Sequence, residues 1–211
     1  MIITAADFTF DRYLAGDYGD HCIIHGDCRD VLPKIPDKAI DLVLTDPPYG
    51  IGISSNPFRQ KFDKQDWDSK VPQDECFDGM FRSSKEQIIW GGNYFNLPPS
   101  QGFFVWDKRQ PRTFSSAMCE YAWSSIKAPA KLYSEWVVQI EKFHPTTKPL
   151  GLIEFCLSFV AEAQTILDPF LGSGTTLVAA KNLGRRAIGI EINYDYCKIA
   201  EQRMAQEVLS L

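Results

Sequence analysis

The sequence predicts an α/β fold, a mainly parallel sheet of seven strands with helices on both faces, and three observations carry it. Short apolar runs alternate with helical patterns almost throughout the chain. The run Ile40–Thr45 reads as a strand buried on both faces at its end, as in parallel sheets. The apolar runs before Asp46 and Asp168 end in an acid and a turn, and a third run carries Glu191 at its end. Ligands bind at such carboxyl edges of parallel sheets.

Taken in order, residues 1–20 are mixed and punctuated by Gly and Asp, with no clear period, and read as mostly irregular. Cys22–His25 reads as a strand ending at Gly26-Asp27-Cys28, with a short helix over Cys28–Leu32 before the breakers Pro33 and Pro36. Ile40–Thr45 runs straight into Asp46-Pro47-Pro48-Tyr49-Gly50. Residues 51–75 are rich in Ser, Asn, Pro, Gln, Asp and Lys. Loops beyond about 15 residues are usually lids or disordered segments, so a mobile loop is expected there. Its basic residues Arg59, Lys61, Lys64 and Lys70 alternate with acids, which suits a lid over a nucleic acid and equally a solvated mixed-charge loop.

A helix over Gln73–Ser84 is followed by a strand at Gln87–Trp90, and Phe103–Trp106 and Glu120–Ser125 are further strands. The basic run Lys108–Arg112 lies between them, and Ile126–Lys142 reads as a short connection with one more strand or turn. Pro149 starts an amphipathic helix from Leu150 to Ala161. A strand at Thr165–Asp168 leads to a helix closed by Gly184. Arg186–Ile192 is the last strand, and Asn193 caps a final helix. The whole, residues 1–211, reads as one domain with no large separate recognition region.

Composition bounds the function. The 211 residues, 45% hydrophobic and 23% charged, can fill a full core. A net charge of −5 argues against nucleic-acid binding by the whole surface and leaves room for a local basic patch. The six cysteines show no Cys-x-x-Cys spacing, so free thiols in a reducing cytoplasm are expected, with no metal site. No apolar run reaches the length of a membrane span, and Asp7 and Asp11 stand where a signal peptide would be basic. The expectation is a cytoplasmic protein.

The most informative stretch is Thr165-Ile166-Leu167-Asp168-Pro169-Phe170-Leu171-Gly172-Ser173-Gly174-Thr175-Thr176. Strand, glycine turn and helix N-terminus in that order make a ligand cradle, because glycine lets the backbone turn and approach closely while the first helical N–H groups stay free. A phosphate loop would need Gly-Lys-Ser/Thr, and no lysine follows Gly174 before Lys181. The dinucleotide fingerprint fails at Leu177. Asp168 would repel a pyrophosphate but suits a cation, and Glu191 is placed to grip a ribose. S-adenosylmethionine, with ribose, ammonium and sulfonium, meets all three conditions. A tight strand-to-helix connection without a ligand is the plain alternative.

Asp46-Pro47-Pro48-Tyr49 carries a second chemistry. Two prolines fix the backbone and leave their carbonyls as acceptors. An acid, fixed carbonyls and an aromatic face suit an exocyclic amine on a flat ring: the amine donates to Asp46 and the Pro47 carbonyl while Tyr49 stacks. A rigid acidic turn is the bland reading of the same residues.

Together with Gly26-Asp27-Cys28, His144-Pro145-Thr146-Thr147-Lys148-Pro149 and Gly189-Ile190-Glu191, these segments resemble the amino-group DNA methyltransferases of the permuted, beta-type arrangement. The resemblance runs from about residue 22 to 200. It implies a Rossmann-like S-adenosylmethionine-dependent methyltransferase fold with circularly permuted motif order. It further implies methyl transfer to a DNA base flipped out of the duplex, without a metal. Asp at position 46 resembles the adenine-N6 enzymes, whereas Ser there marks cytosine-N4 enzymes more often. Cytosine-N4 transfer and a catalytically silent nucleic-acid-binding partner of the same fold stand as alternatives.

By the same resemblance Asp46, Pro47, Pro48 and Tyr49 are catalytic. The cofactor residues are Asp27, Cys28, Lys148, Asp168, Phe170, Gly172, Gly174, Thr175 and Glu191. Gly172 and Gly174 lie against the methionine part, Asp168 takes its ammonium and Glu191 the ribose. Asp27 and the Cys28 backbone meet the adenine ring, and Lys148 lies near the cofactor's carboxylate. DNA is the implied partner, with a homodimer open. The short stretch 126–142, carrying Lys127, Lys131 and Lys142, can hold phosphates more easily than read several bases, so a short recognition site is expected.

Overall fold

A computed structural model describes residues 1–51, 71–111, 113, 117–136 and 147–206. Among them nine strands form one sheet: β1 Ile2–Thr4, β2 His21–His25, β3 Ile40–Thr45, β4 Ser84–Trp90, β5 Phe103–Asp107, β6 Cys119–Ser124, β7 Lys131–Ser134, β8 Thr165–Asp168 and β9 Arg186–Glu191. The seven strands read from the sequence are all present, and β1 and β7 extend the two edges. β1 lies in the stretch read as irregular because three residues are too few to show a period.

The order across the sheet is β1-β2-β9-β8-β3-β4-β6-β5-β7. All pairs are parallel except those made by β6, which alone runs against the rest. Chain neighbours are therefore not sheet neighbours. β3 pairs with β8, Leu42 opposite Ile166 and Val43 opposite Leu167, although more than a hundred positions separate them in sequence. That pairing sets the turn after Asp46 beside the cradle after Asp168. β6, running the other way, brings its first residues, Cys119 and Glu120, to the same edge where β3, β4, β8 and β9 end.

Side-chain alternation divides the core between the two faces. Leu42, Leu44, Ile88 and Trp90 pack with helices α4 Leu150–Ser158, α5 Thr175–Asn182 and α6 Tyr194–Ala205. Val43, Ile89, Leu167, Ile188 and Ile190 pack with α1 Phe10–Leu14, α2 Cys28–Val31 and α3 Asp74–Ser83. Central strands covered on both faces carry continuous apolar runs, which is why β3 and β8 were legible. Helix α1 escaped the sequence reading because its five residues make little more than one turn, capped by Thr9. α4 stops at Ser158, short of the expected Ala161. The expected mobile loop at 51–75 lies, from 52 to 70, outside the described residues.

Candidate active site

The carboxyl edge of the sheet opens into a cavity of about 690 Å³. The turn after β2, the end of β3, the cradle between β8 and α5, and the end of β9 all line it. Of the residues expected from sequence, Asp27, Cys28, Asp46, Pro48, Lys148, Asp168, Phe170, Gly172, Thr175 and Glu191 line this one space. Pro47, Tyr49 and Gly174 are not among its lining residues. Val71, Pro72 and Gln73, ahead of α3, complete one wall, with Cys76 on α3 itself.

At the cradle end two acids are held by the backbone and by hydroxyls. Asp168 is 3% exposed, and its Oδ1 accepts from Thr45 Oγ1 at 2.7 Å and from the Phe170 N–H at 3.1 Å. Glu191 accepts from the N–H groups of Gly172 and Asn193, each at 2.8 Å. Burial pushes Asp168 up to about 6, against the pull of its hydroxyl and amide donors. Burial likewise pushes Glu191 up to about 7. No cationic side chain is among the partners of either acid within the described residues. Such acids gain from a ligand that brings its own positive charge or hydroxyl donors.

The two cradle glycines do different jobs. Gly172 has φ +54°, and a Cβ there would meet nothing within 4 Å, so its bare backbone faces open space. Gly174, at φ +87°, turns away: a Cβ would lie 2.7 Å from Ala200 Cβ and 3.0 Å from its Cα. Gly174, expected against a cofactor, thus also lets the α5 N-terminus pack closely against α6. Asp27 caps α2 through the Arg29 N–H at 2.9 Å and pairs with the Arg29 guanidinium at 2.6 Å. Its carboxylate is thereby held below the usual range, the Arg29 hydrogen bond outweighing burial.

The target end is built differently. Asp46 Oδ1 accepts from the Tyr49 hydroxyl at 2.5 Å, and Oδ2 is held by the Lys148 ammonium. Lys148, 7% exposed, also lies 3.0 Å from Glu120, which lies 2.5 Å from Lys108. A chain of alternating charge results, its lysines buried and its acids half-buried: Asp46, Lys148, Glu120, Lys108. Burial pushes Asp46 up, and Lys148 only partly offsets it. Burial would raise Glu120 too, but Lys148 and Lys108 outweigh it and bring it down to about 2. Burial would lower Lys148, but its two acids more than compensate and raise it.

Lys148, expected near a cofactor carboxylate, is buried at the cavity wall and held by Asp46 and Glu120 in the ligand-free protein. Lys108, 9% exposed and over the Trp106 ring at 5.2 Å, is not available to DNA. Tyr49 stacks on Tyr94, centroids 4.8 Å apart and planes 14° apart. A Cβ on Gly91 would fall 2.1 Å from the Tyr49 ring, so only glycine fits beneath it. Glu120 and Tyr94 were not singled out from sequence, and Lys108 was read only as part of the basic run Lys108–Arg112. Gly91-Gly92-Asn93-Tyr94 at a strand end was the one available signal.

Comparison with known proteins agrees with this geometry. The family model described as DNA methylase, for the N6 and N4 enzymes, matches residues 81–202. The chain is 30% identical to the Type II methyltransferase M2.DpnII of Streptococcus pneumoniae over an alignment spanning 240 positions, gaps included, which covers 88% of this chain and 90% of that protein. It is also 30% identical over 202 residues to the Escherichia coli methylase YubD, covering 86% and 89% of the two chains. The chain belongs to this family of DNA methylases. Among solved structures, the DNA modification methylase TTHA0409 of Thermus thermophilus, complexed with S-adenosyl-L-methionine, superposes with TM-score 0.59 at 23% identity, over 90% of this chain and 96% of that one. The cytosine-N4-specific PvuII DNA methyltransferase superposes with TM-score 0.62 at 17% identity, over 90% and 88%. These two likenesses speak to the fold.

The cradle end fits S-adenosylmethionine on the structure's own terms: the cavity is large enough, Gly172 leaves backbone open to it, and Asp168 and Glu191 have no cationic partner among the described residues. Two outcomes are expected. Gly174→Ala, which overpacks against Ala200, should cost about 1–3 kcal/mol in denaturant unfolding. Gly172→Ala is strained by its φ of +54° but meets no neighbour, so it should cost less stability than Gly174→Ala and should weaken S-adenosylmethionine binding in a titration; the opposite pattern would mean the two roles are exchanged.

The second outcome follows from the raised acids. Unfolded carboxyls titrate near about 4, so between there and about 6 for Asp168 or about 7 for Glu191 the folded, ligand-free protein binds the extra proton. Stability from these groups is full below the lower limit and is lost as pH rises through the upper one. Thermal melts of ligand-free Glu191→Gln should show a flatter decline over that interval than wild type. Equal slopes would remove Glu191 from the account.

Proposed function

We propose that the chain transfers a methyl group from S-adenosylmethionine to the exocyclic N6 amine of adenine in DNA, acting on a base turned out of the duplex. The observation that carries this reading is the sharing of one cavity: Asp46, on its stiff Pro-Pro turn, faces the same space as Asp168 and Glu191. When bound, the cofactor supplies a methyl group already activated on a sulfonium. Asp168 and Glu191 hold its ammonium and ribose, with Gly172 and Phe170 along the cradle and Asp27 and Cys28 at the adenine end.

The chain's own task is the nucleophile, whose lone pair is delocalised into the ring. Asp46 and the Pro47 carbonyl accept the amine's hydrogens and so favour the tetrahedral nitrogen that attacks, an electrostatic preorganisation. Pro48 keeps that geometry stiff. Turning the base out costs a few kcal/mol, and stacking on Tyr49 returns about 1–3 kcal/mol. Because Tyr94 covers one face of the Tyr49 ring, a base that stacks on that face takes Tyr94's place.

Asp at position 46 supports adenine. Cytosine-N4 transfer is the second reading, favoured by the shared fold of the PvuII enzyme. Incubation with labelled S-adenosylmethionine and mixed-sequence duplex DNA, followed by nucleoside analysis, separates the two: N6-methyladenine is expected, and N4-methylcytosine alone would overturn the adenine assignment. Asp46→Ala should abolish transfer and leave cofactor titration nearly unchanged. Near-normal turnover would remove Asp46 from the mechanism.

For recognition, Lys127 and Arg109 are exposed near the sheet's β5–β7 side, while Lys108 is committed to Glu120. These two cations, among the described residues, hold phosphates more readily than they read bases. Mapping the modified bases should give a short site of about two to four base pairs, reading a base pair taking only one or two side chains. A stringent site of six or more, roughly the reach of a dedicated reader, would require one in residues 52–70 or a partner protein.

A further inference from the structure

We infer that Glu120 is a positioning residue for methyl transfer: it is the alternate host for the Lys148 ammonium, which lets Lys148 release Asp46 to the incoming amine. The inference rests on the reading of Asp46 as the amine's acceptor. Both Asp46 oxygens have partners, the Tyr49 hydroxyl on Oδ1 and the Lys148 ammonium on Oδ2. An amine that donates to Asp46 shares or takes over one of those contacts. A lysine held only by Asp46 would neutralise the negative charge that the reacting nitrogen needs as it becomes positive.

Lys148 has a second anion within reach, Glu120 at 3.0 Å. Glu120 is itself fixed by Lys108 at 2.5 Å, and the Lys108 ammonium lies 5.2 Å from the Trp106 ring centre. Counting the four groups, two acids face two lysines, so Lys148 stays paired when it shifts toward Glu120, and the Asp46 charge it leaves is met by the reacting nitrogen as that becomes positive. That matters because an uncompensated buried charge is what such sites cannot tolerate. Glu120 touches neither expected substrate, and it does not line the cavity. Its action passes through Lys148 alone.

The experiment is single-turnover transfer at saturating DNA, with separate titrations of S-adenosylmethionine and DNA, for wild type, Glu120→Gln, Glu120→Asp, Lys148→Met and the Glu120→Gln/Lys148→Met double variant. Glu120→Gln is expected to slow transfer on the order of tenfold or more, the size seen when a group that orients a functional side chain is lost. Both dissociation constants should stay within about twofold of wild type, a split that marks a loss confined to the reacting state. Glu120→Asp should recover part of the rate, and the double variant should be no slower than the slower single, since the two residues act as one unit.

A Glu120→Gln rate within about twofold of wild type, or a loss carried wholly by cofactor affinity, or full additivity, overturns the inference. Should Glu120→Gln fail to fold, Lys108→Met tests the same chain from its far end. Slower transfer with unchanged cofactor affinity supports the inference, and an unchanged rate overturns it. A wild-type protein that labels no DNA overturns the methyl-transfer reading, and this inference with it. A wild type that labels DNA beside an unaffected Glu120→Gln overturns the inference alone.

Discussion

The hydrogen bond from Thr45 Oγ1 to Asp168 Oδ1, 2.7 Å across the β3–β8 pair, is the contact on which the site depends. It lies where two parallel strands end side by side, one leading to the Pro-Pro turn and the other to the glycine cradle. Because Asp168 is buried, it needs donors, and Thr45 is the residue immediately before Asp46. Satisfying one acid therefore fixes the backbone that presents the other. The two ends of the cavity are held at a set distance by sheet geometry, and no loop has to choose it.

Burying several acids around one cavity raises an electrostatic problem, and the protein solves it in two ways. At the target end lysines do the work: Lys148 lies between Asp46 and Glu120, and Lys108 closes the chain. At the cradle end the partners of Asp168 and Glu191 among the described residues are amides and hydroxyls, and both acids rise toward neutrality. The first arrangement is complete within the protein. The second is left short of positive charge, and a ligand with an ammonium completes it. This asymmetry separates a preassembled acceptor from a site that gains stability when filled. It also explains why Lys148, a cation bordering the cradle, does not serve the cradle acids: the two acids of the target end already hold it.

Much of this was legible in the sequence because it lies in contiguous segments. The central strands announce themselves through doubly buried apolar runs, and Asp46, Asp168 and Glu191 stand at or just past the ends of such runs, where side chains reach the sheet edge. The glycines were read as one pair, but a residue pattern does not say which way a missing Cβ points. Only the approach of Ala200 separates Gly174 from Gly172. The short edge strand β1 and helix α1 lack the length for a period, and tertiary contacts decide them. Phe10 and Tyr13 of α1 are fixed by burial against one face of the sheet.

Glu120 was out of reach for a different reason, and it is a property of topology. A residue at the start of a strand normally lies at the amino edge of a parallel sheet, away from ligands. β6 reverses that rule, because it alone runs antiparallel, between β4 and β5. Its second residue thus arrives where β5 ends at Asp107, beside Lys108, and where Lys148 enters from the segment before α4. Nothing local to Cys119-Glu120-Tyr121 records that direction, since a strand's sequence pattern has period two whichever way it runs. The charge chain is thus a consequence of one strand's orientation, and it converts an ordinary strand-start glutamate into a neighbour of Lys148 at the cavity wall.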